Sequence, residues 1–419
     1  MIAFLKKLYR DRRGNALVIA AAALPLVLGS AGLASDTIQW TLWKRQLQRA
    51  ADSAAMAGVY AKVQDQDYTT AVNADLGHNN HVGITTTVTP NSPPPTGAFS
   101  ADLMAVRVTL AVQKQLNFSS FFLSTAPTIT ASATATIVPG GEYCVVSLEN
   151  TSVTGINATG STDVNLGCGM ITNSTSLNAA VATGSSEVIA SPIAAVGGIP
   201  ASTHWGPGTT LQPFTVAQVD PFAAVDPPTG QSCNGNTNVS NSQTQTIGAA
   251  NVTTCVGSLS IAGTATLKGT IYVDGGSLSI GTQANVTCDL CTIVLSNHNT
   301  ASNATIGNFE VTGSPTMHWT APTDGTYKGI LIYQDRRAVD GTSNNLQNKL
   351  RGSSTSYFEG AFYFPKQELE FTGATGMNSN CLQLVSRRVK FSGNSAISNT
   401  CPIGSGASSF DGRRVRLVA

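Results

Sequence analysis

The chain has 419 residues, of which only 11% are charged, and its 24 basic and 23 acidic side chains give a net charge of +1. This balance excludes a nucleic-acid-binding protein defined by bulk positive charge, and it equally excludes an acidic disordered chain. The 40 glycines, with 42% hydrophobic and 6% aromatic residues, predict a large, mainly β body rich in small and β-branched side chains.

The first predicted element is a transmembrane helix over residues 14–38. Residues 16–34 are almost entirely apolar, and about 20 such residues span the hydrocarbon core of a bilayer. The preceding segment, residues 1–13, is strongly basic, so we expect it to stay in the cytoplasm. Its basic residues are Lys6, Lys7, Arg10, Arg12 and Arg13.

Two cleaved alternatives stay open for this segment. Small residues around Ala34 are typical of a signal-peptide cleavage site, and Gly14 lies where a type IV pilin leader would be cut. Ile19 argues against the pilin interpretation, because pilin leaders normally carry Glu at that fifth mature position. Trp40 and Trp43 follow the apolar run, and we expect them to form an aromatic belt at the membrane interface.

Residues 39–64 are predicted to continue the anchor as a helix, because they are rich in alanine and contain no proline. Small side chains recur at helical spacing on one face. They are Leu47, Ala50, Ala51, Ala54 and Ala57. This stripe has two compatible interpretations, a plain continuation of the anchor and a contact face for a partner helix in the membrane.

The run DRRGNALVIAAAALPLVLGSAGLASDTIQW, followed by KRQLQRAADSAAMAG, resembles the N-terminal segment of TadG-like proteins. These are accessory proteins of the bacterial tight-adherence (Tad, or Flp) pilus assembly system. The resemblance implies a membrane-anchored protein whose partners are other pilus-assembly or envelope proteins. Many relatives carry a von Willebrand A domain with an Asp-x-Ser-x-Ser metal site, but this sequence lacks that motif, so we expect no such metal site here.

Residues 65–138 are predicted to form a small α/β unit. Residues 82–89 predict a strand, and residues 103–113 alternate apolar and polar side chains as a strand does. Residues 91–97 (NSPPPTG) predict a turn or loop. Residues 117–123 (NFSSFFL) predict a short helix whose three phenylalanines are buried.

Residues 139–404 carry short apolar-x-apolar strands, separated by Gly, Asn and Ser turns, with a period of about 20 residues. This period favours a right-handed parallel β-helix, a solenoid, with a β-sandwich as the alternative. Two later runs, TYKGILIYQDRR and STSYFEGAFYFPKQELEFTG, also resemble the β-solenoid segments of some TadG-like proteins. The Pro/Gly-rich residues 199–237 predict a long excursion from one side of the solenoid, and residues 405–419 predict a basic tail.

Eight cysteines outside the membrane are expected to form disulfides. Spacing alone leaves the connectivity open, but local pairing gives three bridges of about one solenoid round and one tight bridge. These pairs are Cys144–Cys168, Cys233–Cys255, Cys381–Cys401 and Cys288–Cys291. The tight Cys-x-x-Cys pair has redox and zinc-binding alternatives; zinc would need two more ligands, and only His298 is near in sequence.

We expect no catalytic, cofactor or metal site. The histidines form none of the hydrolase or zinc motifs; they are His78, His81, His204, His298 and His318. A carbohydrate-active β-helix enzyme would need paired carboxylates beside a cleft. The candidates are Asp335, Glu359, Glu368 and Glu370, of which the last two share one strand face. A solvated outer face is the favoured interpretation.

Charge is unevenly distributed along the chain. Residues 63–327 hold three bases and 14 acids, whereas residues 328–419 hold 12 bases and six acids. The basic end has two interpretations, solvated charge and a contact surface for an anionic partner or glycan. Its bases include Arg336, Arg337, Arg387, Arg388 and Arg413 to Arg416.

Together these patterns predict a non-enzymatic, single-pass protein of the bacterial inner membrane, with a cytoplasmic N-terminus and a periplasmic body. We expect it to serve the assembly or anchoring of the Tad pilus, and so surface adherence. The alternatives are an adhesin or glycan-binding envelope protein and, less favoured, a carbohydrate-active β-helix enzyme. No nucleic-acid partner is expected.

Overall fold

The structure, a computed structural model, describes residues 14–419 except 81, 84–85, 234, 341–347, 374–377, 380, 394 and 398–399. The predicted basic segment, residues 1–13, lies outside the described residues, and with it Lys6, Lys7, Arg10, Arg12 and Arg13. His81 also lies outside them.

The described residues form two long helices, a short 3-10 helix and 25 strands. The helices are α1 (Gly14–Val63), α2 (Tyr68–Asn79) and the 3-10 helix η1 (Ser119–Phe121). The first strands are β1 (Thr87–Asn91), β2 (Val106–Gln113), β3 (Thr128–Ser147), β4 (Ile156–Ala158), β5 (Asp163–Leu166), β6 (Gly169–Thr172), β7 (Ala180–Ala182), β8 (Glu187–Ile189), β9 (Ile193–Ala195) and β10 (Leu211–Gln212). They are followed by β11 (Thr237–Val239), β12 (Thr244–Val256), β13 (Leu259–Ile261), β14 (Thr264–Asp274), β15 (Leu278–Ile280), β16 (Asn285–Ser296), β17 (Phe309–Val311) and β18 (Thr316–Thr320). The last are β19 (Ile330–Gln334), β20 (Asn348–Arg351), β21 (Tyr357–Gly373), β22 (Asn378–Ser379), β23 (Cys381–Gly393), β24 (Ser395–Ile397) and β25 (Phe410–Leu417).

The chain divides into two compact units. The N-terminal unit comprises Met1–Val138 and Val415–Ala419, and the ladder unit comprises Pro139–Arg414.

The N-terminal unit is a helix pair on an antiparallel sheet. β2 lies between β1 and the first half of β3, with Leu110 opposite Val88 on one side and Ala131 on the other. Buried and half-buried residues alternate along β2, and its buried face packs in one hydrophobic core with α2 and the C-terminal half of α1. The end of the chain joins this sheet, because the backbone N–H of Val418 donates to the carbonyl of Thr134 at 2.8 Å.

The strands of the ladder unit from β4 to β24 pair in parallel, most of them with a strand about one round of chain away. Ile261 is in register with Ile280, and Val146 with Ile171. In one row, ten residues lie in register on neighbouring strands, and we call this row the tyrosine ladder. It runs Cys255, Tyr272, Val294, Tyr333, Tyr363, Val385, Val146, Ile171, Ala194, Gln212. A second, all-parallel sheet contains β22, β24, β5 and β8.

The order of the tyrosine ladder shows that this unit is assembled from two halves. One half contains β3, β6, β9 and β10, and the other contains β12, β14, β16, β19, β21 and β23. They join where β23 pairs with β3, Leu384 lying opposite Val145. A side-chain bond supports this junction, because the Ser147 hydroxyl donates to the Arg387 carbonyl at 2.8 Å across a sequence separation of 240 residues.

The connection between the two halves runs along the tyrosine ladder. Residues 217–233, which we call the strap, lie between β10 and β11. The Tyr363 hydroxyl donates to the Asp220 carboxylate at 2.7 Å, and the Tyr333 hydroxyl donates to the Val225 carbonyl at 2.8 Å. The strap therefore covers an aromatic face that would otherwise be exposed to water.

The interior of the ladder unit is a separate apolar core. Rows of inward side chains stack along it, for example Leu259, Leu278 and Phe309. Trp319 is fully buried there, and its Nε1 donates to the Val286 carbonyl at 3.2 Å. Burial of each such side chain stabilises the fold by about 1.5–3 kcal/mol. Because like residues stack from strand to strand, every strand of the row contributes a similar stabilisation.

The predicted mainly β class with a leading apolar helix is confirmed. Strand positions differ in detail: β1 occupies 87–91 rather than 82–89, a range whose residues 84–85 lie outside the described residues, and β2 begins at Val106. Residues 410–417, within the predicted basic tail, form a strand. The prediction of buried phenylalanines in residues 117–123 is wrong, since Phe118, Phe121 and Phe122 are 43%, 83% and 68% exposed.

Candidate functional site

The N-terminal half of α1 presents large apolar side chains to its surroundings. Val18, Ile19 and Leu26 are all at least 65% exposed. Val18–Val63 contains a stretch long and apolar enough to cross a membrane, and almost none of that stretch is buried by the protein. Each such side chain gains about 1.5–3 kcal/mol on leaving water. A bilayer is therefore the favourable environment for this half of the helix.

Hydroxyl groups on this half of α1 are satisfied by the helix itself. Ser30 donates to the Val27 carbonyl at 3.0 Å, and Thr37 donates to the Leu33 carbonyl at 2.8 Å. Water does not reach the hydrocarbon core, so a polar group there must find its partner within the protein. These back-bonds make the hydroxyls compatible with lipid.

Asp36 fixes a loop to α1 at the end of the apolar stretch. Its carboxylate is buried and accepts the backbone N–H of Ser119 at 2.6 Å and that of Phe118 at 3.1 Å. One turn earlier, Gly32 faces the Phe118 ring so closely that a Cβ at Gly32 would overlap it. Sequence reasoning missed this contact, although a lone acid within a long apolar helix was an available signal.

The C-terminal half of α1 is covered by its own unit. The helix continues unbroken to Val63, and the small-residue stripe is buried against α2 and the sheet, apart from a half-buried Ala57. At Gly58 the backbone of α1 lies close to β2, because a Cβ added there would be 2.9 Å from Cγ1 of Val106. The interpretation of this stripe as a contact face for a partner helix is wrong, since the chain's own strands occupy it.

The predicted aromatic belt is wrong for Trp43, which is buried in the core of the N-terminal unit, and Trp40 is half-buried. The exposed aromatic rings beside α1 are Phe118, Phe121 and Phe122 instead. An apolar pattern alone does not distinguish a side chain that faces a protein core from one that faces lipid, because both positions exclude water.

A buried ion cluster lies at the junction of the two halves of the ladder unit. The Glu149 side chain has 0% exposure and lies 2.9 Å from both Arg387 Nε and Arg388 Nη1. Asp340 bridges the same two arginines at 3.0 and 2.7 Å, and Glu368 lies 3.5 Å from Arg388. The cluster thus connects the end of β3 with β23 and β21.

Burial of Glu149 would by itself raise the pKa of its carboxyl group. Hydrogen bonds from Arg387, Thr151 and Arg388 outweigh this and lower the pKa to about 2. For Arg388, desolvation lowers the pKa, but the bonds to Asp340 and Glu149 outweigh it and raise the pKa overall. Both groups are therefore held in their charged forms at neutral pH.

Four arginines of the basic end have partners within the protein. Arg336 donates to the strap carbonyls of Phe222 (2.5 Å) and Val225 (2.8 Å). Arg337 lies 2.7 Å from Asp335, and Arg387 and Arg388 belong to the ion cluster. The interpretation of these four arginines as freely solvated charge is wrong, because sequence does not show which partners the fold brings to them.

The candidate catalytic carboxylates are each engaged by a polar neighbour. Glu368 and Glu370 lie on one face of β21, as predicted, but each faces a base on β23, Arg388 at 3.5 Å and Lys390 at 3.3 Å. Asp335 accepts from Ser296 at 2.6 Å as well as from Arg337. Desolvation would raise its pKa, yet these bonds lower it. Glu359 accepts the Tyr357 hydroxyl at 2.9 Å.

The eight cysteines form four disulfides, and the partners are those that local pairing suggests. Their Cα atoms are 5.8, 5.5, 5.4 and 4.6 Å apart for Cys144–Cys168, Cys233–Cys255, Cys288–Cys291 and Cys381–Cys401. The second bridge does not join two rungs, because Cys233 belongs to the strap. It fixes the end of the strap to β12.

The described histidines are dispersed rather than grouped. His204 contacts the Ser186 carbonyl at 2.8 Å, His298 pairs with Asp274 at 2.7 Å, and the His318 ring packs edge-on against Tyr357. His78 lies in the last turn of α2. Among the residues that the structure describes, no group of three or more His, Cys, Asp or Glu side chains could hold a metal ion.

Comparison with known proteins adds one finding. Residues 14–63 match the Tad family model, described as putative Flp pilus-assembly TadE/G-like, and the resemblance stated from the sequence is confirmed. The matched residues coincide with α1. No curated protein and no solved structure matches the chain.

Proposed function

We propose that the chain acts as a membrane-anchored accessory protein in Tad pilus assembly or anchoring, because its residues 14–63 match the TadE/G-like family model. The observation that carries the proposal is the coincidence of that domain with α1, whose first half is apolar and uncovered. The feature shared with the family is thus the helix that anchors the chain, and we infer a contribution to surface adherence from it.

The proposed location is the bacterial inner membrane, with the N-terminus in the cytoplasm and the rest of the chain in the periplasm. The basic residues of segment 1–13 support this orientation by the positive-inside rule. Four disulfides in the ladder unit support an oxidising compartment. Protease added to spheroplasts should remove the ladder unit; full protection of that unit would refute this orientation.

The proposed role is non-enzymatic and depends on other envelope or pilus-assembly proteins. Ion pairing of Asp335, Glu368 and Glu370 supports it, because a carboxylate held against a base is poorly placed for acid catalysis. Deletion of the gene should abolish pili and surface attachment, and the wild-type gene should restore both. Normal piliation and attachment in the deletion strain would refute the role.

For the ladder unit we propose a right-handed parallel β-helix. Parallel register between strands about one round apart, maintained within each half of the tyrosine ladder, supports this winding. An experimental structure of the protein tests the proposal directly. A sandwich of antiparallel sheets in residues 139–404 would refute it.

A second candidate function, glycan binding, is favoured by a cavity of about 450 Å³ beneath the strap. Tyr272, His298 and Arg336 contribute to its walls, and aromatic and charged side chains together are suited to sugar rings and their hydroxyls. A glycan array probed with the purified protein tests it. A glycan that binds on the array should also slow hydrogen exchange in the segments that contain Tyr272, His298 and Arg336. If no glycan does so, this candidate is refuted.

A further inference from the structure

The loop that contains η1 exposes an uncharged aromatic surface. Phe121 and Phe122 are 83% and 68% exposed, and Phe118 and Leu123 are also exposed. Residues 117–123 contain no charged side chain. Exposed aromatic groups concentrated in one short loop are unusual for a surface in contact only with water.

Several hydrogen-bond donors of this loop are satisfied close by in the chain. The backbone N–H groups of Phe121, Phe122 and Leu123 donate to carbonyls within the loop, at 3.2, 3.0 and 2.8 Å. The Ser120 hydroxyl donates to the Asn117 carbonyl at 2.7 Å. A loop with its donors paired in this way pays little to leave water, which is the requirement for a segment that enters lipid.

The loop lies beside the end of the lipid-compatible stretch of α1. Asp36 holds the backbone of Phe118 and Ser119, and the Phe118 ring packs on Gly32. With a rise of about 1.5 Å per residue, Gly32 lies about 9 Å before Ile38, an exposed apolar residue near the end of that stretch. The Phe118 ring therefore lies against the apolar surface of the helix beside its last two turns, and Phe121 and Phe122 follow within the same loop.

Basic side chains follow the end of the apolar stretch of α1. Lys44 and Arg45 are exposed on the next turns of α1, and Lys114 is exposed just before the loop. An apolar element bordered by bases suits the boundary of a phospholipid bilayer, where acyl chains give way to phosphate groups.

We propose that residues 117–123 form a second membrane-contact element, in which Phe121 and Phe122 insert among the acyl chains of the phospholipid leaflet at the C-terminal end of the anchor. This inference rests on the proposed membrane anchoring by α1. The Asp36 carboxylate acts as the positioning group, because it fixes the loop at the depth where its rings meet lipid. The anchored unit is thereby held by two elements rather than by a single helix.

Tryptophan quenching in proteoliposomes tests the proposal with the full-length protein. A Phe121→Trp variant is reconstituted into vesicles of unlabelled or acyl-chain-brominated phospholipid. The matched control is Leu103→Trp, because Leu103 is also well exposed, at 72%, but lies towards the far end of α1. Two hydrogen bonds place it there: Lys62, near the end of α1, donates to Ser92, and Ser92 donates to the carbonyl of Ala105, close to Leu103 in sequence. The quenching of the natural tryptophans, measured on the unsubstituted protein, is subtracted from both.

We expect bromolipid to quench the added tryptophan of Phe121→Trp about twofold, with a blue-shifted emission, because interfacial side chains insert about 5–10 Å. Leu103→Trp should show no added quenching. Equal quenching of the two variants, or a water-like emission from the tryptophan added at position 121, would overturn the proposal and assign the loop to a protein partner. Phe122→Trp provides the same measurement if the first variant does not fold.

Two further measurements separate this inference from its premise. Adding Asp36→Ala to Phe121→Trp should release the loop and at least halve the added quenching, whereas unchanged quenching would refute the positioning role. Flotation of the vesicles reports the anchor itself. Protein that fails to float refutes membrane anchoring by α1, while a Phe121→Trp protein that floats with its added tryptophan unquenched refutes only the second contact.

Discussion

Replacing Glu149 by glutamine is expected to destabilise the ladder unit by about 3 kcal/mol at pH 7. The substitution keeps the volume of the side chain, but it removes the charge between Arg387 and Arg388 and replaces one acceptor oxygen by an amide NH2 that cannot accept a hydrogen bond. The buried Arg388 would then keep the carboxylates of Asp340 and Glu368, and the half-buried Arg387 would keep that of Asp340.

The magnitude follows from the pKa of Glu149, which falls from 4.5 to about 2. A shift of somewhat more than two units corresponds to about 3 kcal/mol, at about 1.4 kcal/mol per unit. Loss of one partner from a buried ion pair typically costs about 3–5 kcal/mol, which agrees. In a unit of this size that loss lowers the melting temperature by about 6–12 °C.

The same reasoning fixes a pH dependence. Because the pKa is depressed in the folded state, the contribution of Glu149 is fully present above about pH 4.5 and is lost as the pH falls towards 2. The difference between wild type and Glu149→Gln should therefore be constant from pH 7 to 5 and shrink towards zero near pH 2. Denaturant titration followed by hydrogen-exchange mass spectrometry of β16 and β23 peptides measures the ladder unit selectively.

Glu310→Gln is the matched control, because this carboxylate is 43% exposed and pairs with Lys349 at 3.5 Å. An exposed pair of this kind contributes about 0.5 kcal/mol or less. The reasoning would be refuted if Glu149→Gln cost no more than the control, or if its cost persisted unchanged at pH 2.

Three further outcomes are expected. Gly58→Leu should lower the melting temperature of the N-terminal unit, at a cost of about 1–3 kcal/mol, because a Cβ there lies 2.9 Å from a β2 valine; unchanged melting would contradict the close approach. Arg336→Met should free the strap and accelerate its cleavage in limited proteolysis, whereas Lys268→Met, at an exposed position, should not; equal cleavage rates would contradict the role of the arginine. Replacing both Cys233 and Cys255 by serine should lower the denaturant midpoint of the ladder unit, because loss of a bridge with a 22-residue separation lowers the free energy of unfolding by about 3 kcal/mol. Intact mass confirms that the bridge is lost, and an unchanged midpoint would argue against a stabilising role of this disulfide.

Features that depend on local sequence were predictable. The apolar run of α1 and the family resemblance of residues 14–63 are local patterns; the structure forms the predicted helix, and the family model matches the same residues. The suggested cysteine pairs are likewise 24 residues apart or less, and the structure forms the same bridges.

Features that depend on distant pairing were not predictable. Glu149 and Arg388 are 239 residues apart, and neither has a neighbour in sequence that indicates the other.

The rings of residues 117–123 were misassigned for a different reason. Their apolar character was evident, but the medium that they face depends on Asp36 and Gly32, which position the loop on α1 from more than 80 residues away.

The junction of β3 with β23 has a consequence for biogenesis. β3 is among the first strands of the ladder unit to leave the ribosome and β23 is among the last, yet each is the other's neighbour. Until β23 has been synthesised, the edge of β3 that pairs with it stays open, and open strand edges invite association with other chains. The ladder unit therefore completes its folding only when β23, about 240 residues after β3, is available to cover residues 145–147.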